Sequence, residues 1–175
     1  MVKETNINMQ PEQGGITKNN SPKEFIIVSG MVIEGEKFTS GIAANNPYPC
    51  GTLTMQAPYF KQRGLNLKEN FQATINVNIK PGTFVMNNPE FIFPDVKWCP
   101  EHDAETFSFS RCRIIHEELA IDAFVFYHKK RNKKEQSIED SVFEIIAPYI
   151  PGIHYGDQVV IEVNPDEIKV NLKES

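Results

Sequence analysis

Apolar and polar side chains alternate along this chain, most regularly in residues 71–79, FQATINVNI. Every second position there is apolar, and the positions between carry only hydroxyl or amide groups. Because successive side chains of a strand point to opposite faces, this period of two predicts a half-buried β-strand. Its polar face includes Thr74 and Asn76 and carries no charge, which is unusual for a strand face that only meets water.

Six further runs rich in β-branched and aromatic residues also predict strands. They span residues 24–35, 107–116, 120–128, 142–148, 158–163 and 167–172. Turn segments rich in Gly, Pro and Asn separate the runs, and one short helix is predicted over residues 57–64, ending at Gly64. Many short strands with such turns predict an all-β fold. A closed barrel is favoured over a sandwich because it leaves no exposed sheet edge.

The chain divides into two parts of different composition. Residues 1–22, MVKETNINMQPEQGGITKNNSP, are polar, rich in Asn, Gly and Pro, and lack periodicity. Such a segment buries too little apolar surface to order itself, so a disordered N-terminal tail is predicted. Residues 23–175 have the ordinary size of one domain and are predicted to form a single β-barrel domain.

Composition narrows the class of function. Hydrophobic residues make up 40% of the 175 residues, which is enough for a sizeable core. No run of about 18 apolar residues and no apolar signal-peptide centre occur, so no membrane partner is predicted. The net charge of −5 argues against nucleic acid as a partner. Cys50, Cys99 and Cys112 lack the spacing of a disulfide framework or zinc site, so a reducing, cytoplasmic location is expected.

Thr74 and Asn76 are the first candidate site, for a metal ion. They lie two positions apart on one strand face, and their neutral oxygens suit a hard cation such as Mg²⁺ when phosphate oxygens complete its coordination. A solvated face, or hydrogen bonds to a neighbouring strand, explains the same residues. Taken alone, these residues favour that ordinary interpretation.

Two other stretches are candidates for binding phosphate groups. GMVIEGEKFTSG, residues 30–41, is rich in glycine, which lets backbone N–H groups approach a phosphate closely. In YHKKRNKKEQ, residues 127–136, clustered basic side chains can hold the charge of a triphosphate. A hairpin turn and a solvated hairpin tip are the ordinary alternatives. The candidate residues are Gly30, Gly35, Thr39, Ser40, Gly41, Lys129, Lys130 and Arg131.

The segment FEIIAP, residues 143–148, places one carboxylate, Glu144, at the start of an apolar run. A glutamate that is partly buried among apolar residues has a raised pKa and can act as a general base. Glu144 is therefore the candidate catalytic residue. A local cap or ion pair is the alternative role.

Four stretches, in this order, resemble the family of archaeal CTP-dependent riboflavin kinases. They are GMVIEG (30–35), ATINV (73–77), EIIAP (144–148) and YGDQVVIEV (155–163). The resemblance covers about residues 28–163, with gaps. It implies a six-stranded cradle-loop β-barrel and transfer of the γ-phosphoryl group of CTP to a hydroxyl of riboflavin, giving FMN. It also implies that Thr74 and Asn76 hold Mg²⁺ beside the nucleotide and that Glu144 lies near the acceptor.

The chain departs from the family pattern in two places. Residues 35–39, GEKFT, are bulkier than the family's glycine-rich loop, and the basic sequence KKRNKKEQSIEDS (129–141) replaces the stretch before EIIAP. A second hypothesis therefore stays open, in which a barrel of this kind binds a nucleotide or flavin without turnover.

Overall fold

The computed structural model describes residues 24–130 and 140–172, so the predicted tail lies outside the described residues. Within those residues the protein is mainly β, with nine strands and one α-helix. In chain order the elements are β1 (Ile26–Ile33), α1 (Thr52–Gln62), β2 (Ile75–Asn78), β3 (Thr83–Met86), β4 (Phe91–Val96), β5 (Glu105–His116), β6 (Leu119–Lys130), β7 (Val142–Ile146), β8 (Gln158–Val163) and β9 (Ile168–Asn171).

Seven of these strands form one large antiparallel sheet, in the order β4-β5-β6-β7-β2-β1-β8. Its longest pairing joins β5 and β6, from Glu105 opposite Lys130 to His116 opposite Leu119. The other edge of β5 pairs with β4 near its start and with β8 through residues 112–115. β8 also pairs with β1, and β3 and β9 form a separate two-stranded sheet.

Each of the seven predicted strand runs overlaps a strand, and β8 spans the predicted residues 158–163, whereas β5 and β6 extend beyond their predicted runs. The alternation does not predict β3 or β4. β4 contains Pro94, which removes a ladder N–H group, and its register with β5 shifts between Phe93 and Val96. Asp95, inside that irregularity, has a φ of 53°. The bulge breaks the period of two, so the pattern of side chains hides the strand.

The helix spans Thr52–Gln62, so the prediction of residues 57–64 was wrong at its start. Proline is favoured in the first turn of a helix, yet Pro58 lies inside α1, several residues after its start. Gly64, with a φ of 99°, follows the helix as predicted. No helix in the part of the chain that the structure describes is long and apolar enough to cross a membrane.

Two hydrophobic clusters form the core, one within the main sheet and one beneath α1. In the second, the ring centroid of Phe60 lies 5.0 Å from that of Phe107 and 4.9 Å from that of Phe109. Leu53 is also fully buried under the helix. This packing fixes α1 against β5, so that Gln56, on the same buried helix face, has a defined position.

Candidate functional site

Two cavities lie side by side and share one wall. The first has a volume of about 670 Å³ and is lined by Glu34, Glu36, Glu105 and Glu144, so it is named the acidic cavity. The second has a volume of about 610 Å³ and is lined mainly by aliphatic and aromatic side chains, so it is named the apolar cavity. The residues that line both cavities form the shared wall: Ile33, Gly35, Thr39, Thr74 and Asn76.

Asn76 lies directly against the backbone of Gly35 in this wall. A Cβ atom at position 35 would come within 2.0 Å of Asn76 Nδ2, so the Asn76 amide would have to shift to make room for a side chain there. Glycine at position 35 therefore lets this amide lie close to the backbone. The structure therefore joins two residues that the sequence assigned separately to phosphate and metal binding.

Thr39 connects the glycine-containing loop to the strand that carries the candidate metal residues. Its hydroxyl oxygen lies 3.2 Å from that of Thr74, which is a hydrogen-bond distance. The loop is held from behind by the start of α1. There, Thr52 N–H donates to the carbonyl of Phe38 at 3.0 Å, and a Cβ at Gly51 would come within 2.3 Å of the Thr39 carbonyl oxygen. The wall is therefore supported from the helix side.

Strand register brings Glu144 beside Asn76. Across the antiparallel ladders Ile33 pairs with Asn76, Asn76 with Glu144, and Glu144 with Phe126. Directly paired residues of neighbouring antiparallel strands point to the same face, with Cβ atoms about 4.5–5.5 Å apart. The candidate metal residue and the candidate catalytic residue are therefore neighbours in the acidic cavity.

The pKa of Glu144 is raised to about 7. Burial is the largest cause, and the negative charges of Asp140 and Glu36 add to it. Both the protonated and the ionised form are therefore present near neutral pH. A carboxylate in this state can take up or release a proton under ordinary conditions.

The oxygen donors beside the shared wall fit a hard cation. Thr74 offers a hydroxyl, Asn76 an amide oxygen and Glu144 a carboxylate, and Mg²⁺ prefers such ligands. Within residues 24–130 and 140–172, no group of three or more His, Cys, Asp or Glu side chains is arranged to hold a metal ion. A Mg²⁺ ion at this wall would therefore take part of its coordination from water and from substrate phosphate oxygens.

Three of the predicted loop residues lie off the shared wall. Gly30 is inside β1, where a Cβ would come within 2.5 Å of Val77 Cγ1, so it allows two strands to pack closely. Gly41 turns the loop with a φ of 80°. Ser40 lines the apolar cavity and donates its hydroxyl to the carbonyl of Lys37 at 3.0 Å.

Two of the three predicted basic residues form the end of β6. The backbones of Lys129 and Lys130 are the last part of that strand and pair with Thr106 and Glu105. Arg131 lies outside the described residues. The phosphate-binding role of these three residues stays a prediction.

One group of residues that lines the acidic cavity was not assigned to a site from the sequence. Its residues, named the inner end, are Tyr48, Gln56, Trp98, Glu105 and His128. They come from five separate parts of the chain, so no local motif marks them. The most informative feature is the burial of Glu105, which is 6% exposed and accepts a hydrogen bond from Trp98 Nε1–H at 2.7 Å. Only the folded chain reveals this burial.

Comparison of the sequence with protein-family models gives no match, and comparison with curated proteins gives none either. The resemblance to the riboflavin kinases therefore depends on the four stretches alone. The functional argument depends on the geometry of the two cavities.

Proposed function

We propose that this protein transfers a phosphoryl group from a nucleoside triphosphate to a hydroxyl of a small molecule, with Mg²⁺ as cofactor. CTP is the favoured donor and riboflavin the favoured acceptor, which would give FMN. The observation that carries the proposal is the shared wall. Thr74 and Asn76 line both cavities, so a group held there can face a donor on one side and an acceptor on the other.

The apolar cavity suits a flat and largely apolar acceptor. Phe71 and Tyr149 line it with ring centroids 5.8 Å apart, and both rings are more than half exposed. Exposed aromatic rings beside a cavity favour stacking with another ring system. The tricyclic ring of riboflavin has this chemistry, while its polyhydroxylated chain could reach the polar wall.

Glu144 is the residue proposed to accept the proton of the attacking hydroxyl. Its pKa of about 7 leaves a large fraction ionised at neutral pH, and its register places it beside Asn76. Thr74 and Asn76 would hold the metal ion, which supplies positive charge against the phosphoryl oxygens when bound. Positioning of the two reactants would then provide most of the catalysis, as in phosphoryl transfer generally.

We also propose that six strands close into the cradle-loop barrel that the resemblance implies. The support for closure is that β8 pairs with β1 along one edge and with β5 along the other. The strands β5, β6, β7, β2 and β1 follow one another in the sheet between these two pairings. The loop after β1, which contains Gly35 and Thr39, would then be the cradle loop.

The deciding experiment is a product assay with the full chain. Riboflavin and Mg²⁺ are incubated with CTP, ATP, GTP or UTP in turn, and the flavins are separated by chromatography. FMN is expected to form fastest with CTP and not to form when EDTA removes the metal. The absence of FMN with all four nucleotides would refute the riboflavin kinase proposal.

A binding module without turnover is the second candidate. It is favoured by the charge of the acidic cavity, because no Lys or Arg is among the described residues that line it, whereas four carboxylates are. Such a lining repels a triphosphate that carries no metal. This candidate predicts saturable quenching of riboflavin fluorescence by the protein, with no FMN formed under any nucleotide.

A further inference from the structure

The inner end of the acidic cavity has no part in the phosphoryl transfer proposed above, yet it is built from polar groups that are costly to bury. Glu105 is 6% exposed and Gln56 is 5% exposed. Glutamate and glutamine are rarely buried to this degree unless other groups satisfy them. Each of these two side chains therefore needs a hydrogen-bond partner.

Glu105 is held in one orientation by Trp98. The indole N–H donates to Glu105 Oε2 at 2.7 Å, and the other oxygen, Oε1, lies 4.0 Å from His128 Nδ1. That second distance is longer than a hydrogen bond. The carboxylate therefore keeps hydrogen-bond acceptor capacity on the side of the cavity that it lines.

Gln56, on α1, provides a second acceptor among the residues that line this cavity. Its Oε1 atom is buried and has no hydrogen-bond partner among the described residues. Gln56 shares the buried face of the helix with Leu53 and Phe60, which pack into the cluster beneath α1. A buried acceptor left without a partner is unfavourable, so a bound ligand that donates to it would gain affinity.

Flat side chains line the same cavity as these two acceptors. The rings of Phe126 and His128 are nearly parallel, with an interplanar angle of 23° and centroids 5.8 Å apart, and both residues line the cavity. Tyr48 and Trp98 line it too, with their rings in edge contact at 5.4 Å. Aromatic walls of this kind accept a planar ring.

We propose that the inner end binds a planar nitrogen heterocycle through an exocyclic amino group, which donates one N–H to Glu105 and the other to Gln56. An oxo group at the same place is itself an acceptor, so it could not donate a hydrogen bond to Glu105 or to Gln56. The site therefore selects amino over oxo substituents, as between cytosine and uracil or between adenine and hypoxanthine. The proposal rests on the proposed function only in assigning this ring to the nucleotide donor.

Binding can be measured without phosphates or turnover. Trp98 is the single tryptophan of the chain, so its fluorescence reports on this cavity alone. The full chain is titrated with two matched pairs of nucleosides, cytidine with uridine and adenosine with inosine, with excitation at the red edge of the tryptophan band. In at least one pair the amino nucleoside is expected to bind about tenfold or more tightly than its oxo partner. Equal affinity within both pairs, or no binding in either, would overturn the proposal.

Two variants assign the preference to the named residues. In Glu105→Gln the indole N–H of Trp98 can only donate, so it should retain the amide oxygen and turn the amide NH₂ toward the cavity. An acceptor then becomes a donor, and the preference should reverse toward the oxo nucleoside. Gln56→Met should weaken the amino preference several-fold, whereas Gln62→Met, an exposed position on the same helix, should leave it unchanged. An amino preference that persists in Glu105→Gln would contradict the assignment.

The outcome is independent of the kinase assay. An amino preference without FMN formation would support this site and count against phosphoryl transfer to riboflavin. FMN formed equally fast with CTP and UTP would support the kinase and overturn the assignment of this ring to the nucleotide donor.

Discussion

The acidic and the apolar cavity share five wall residues but differ in the charge and polarity of the rest of their lining. Four carboxylates line the acidic cavity, and no carboxylate is among the described residues of the apolar cavity. The basic side chains of the apolar cavity are Lys37 and His154. The pKa of Lys37 is raised, chiefly by its hydrogen bond with Glu34, so it stays charged.

Under the proposed function, this contrast would let one short wall separate two kinds of reactant. The neutral oxygen donors Thr74 and Asn76 lie between the acidic cavity, whose carboxylates favour cations, and the apolar cavity, whose lining favours flat apolar rings. On the acidic side, burial and two neighbouring carboxylates raise the pKa of Glu144. A proton acceptor therefore lies on one side of the wall and the aromatic residues Phe71 and Tyr149 on the other.

The largest effect is expected from removing the amide of the shared wall. Asn76→Ala should lower the rate of phosphoryl transfer by about 100-fold or more, since a group that positions a transferring phosphoryl is lost. The rate is measured as FMN formed at saturating substrates. Asn78→Ala is the matched control, because this amide lies on the same strand but lines neither cavity. An equal loss in both variants would show that the strand, rather than the wall, was damaged.

The next effect concerns stability as a function of pH. Glu144 has its pKa raised in the folded state, so the folded protein binds more protons than the unfolded chain between about pH 4.5 and 7. Stability should therefore fall as pH rises through this window. Glu144→Gln removes that dependence, and it should exceed the wild type in stability by up to about 3 kcal/mol at pH 8.

Chemical denaturation of both proteins from pH 4 to 8, in buffer without metal ions, measures this difference. The two stabilities should converge at the acid end, where the glutamate is neutral in both states. A constant difference across the range would mean that the carboxyl group is not titrating as described. The same variant should also flatten the rise of the FMN-forming rate with pH.

A smaller effect is expected at Gly35. Gly35→Ala places a Cβ within 2.0 Å of Asn76 Nδ2, so the amide must shift, and a loss of about 1–3 kcal/mol of stability is expected. The double variant with Asn76→Ala removes the obstructing amide. In that background Gly35→Ala should cost much less, and the coupling is measured by a double-mutant cycle of unfolding free energies. Additive losses would contradict the close contact.

The smallest effect tests the apolar side of the wall. Tyr149→Ala removes one of two rings that are 5.8 Å apart and should raise the KM for the flat acceptor by about threefold to tenfold. The KM for the nucleotide and the stability should stay nearly unchanged, because Tyr149 is 69% exposed. A change in the nucleotide KM of the same size would show that the two cavities do not hold separate reactants.

Much of the fold follows from local patterns. The runs of alternating or continuous apolar residues overlap seven of the nine strands among the described residues, and the glycine after α1 is in its expected place. β4 escapes prediction because its bulge and Pro94 interrupt the period of two. The start of α1 escapes because Pro58 lies within the helix. In both cases the packing of the buried side overrides the local signal.

By itself, the sequence determined the mainly β character of the protein. It also identified five candidate site residues: Gly35, Thr39, Thr74, Asn76 and Glu144. Both results were possible because strand alternation, a glycine and a carboxylate in an apolar run are local features. Tertiary structure decided that the first four meet in the shared wall and that Glu144 lies beside it. Strand register sets Glu144 beside Asn76, and the glycine at position 35 lets the Asn76 amide lie close to the backbone. The inner end depended on tertiary structure entirely, because burial is what makes Gln56 and Glu105 chemically informative. Burial results from contacts between distant segments, which no short stretch of sequence encodes.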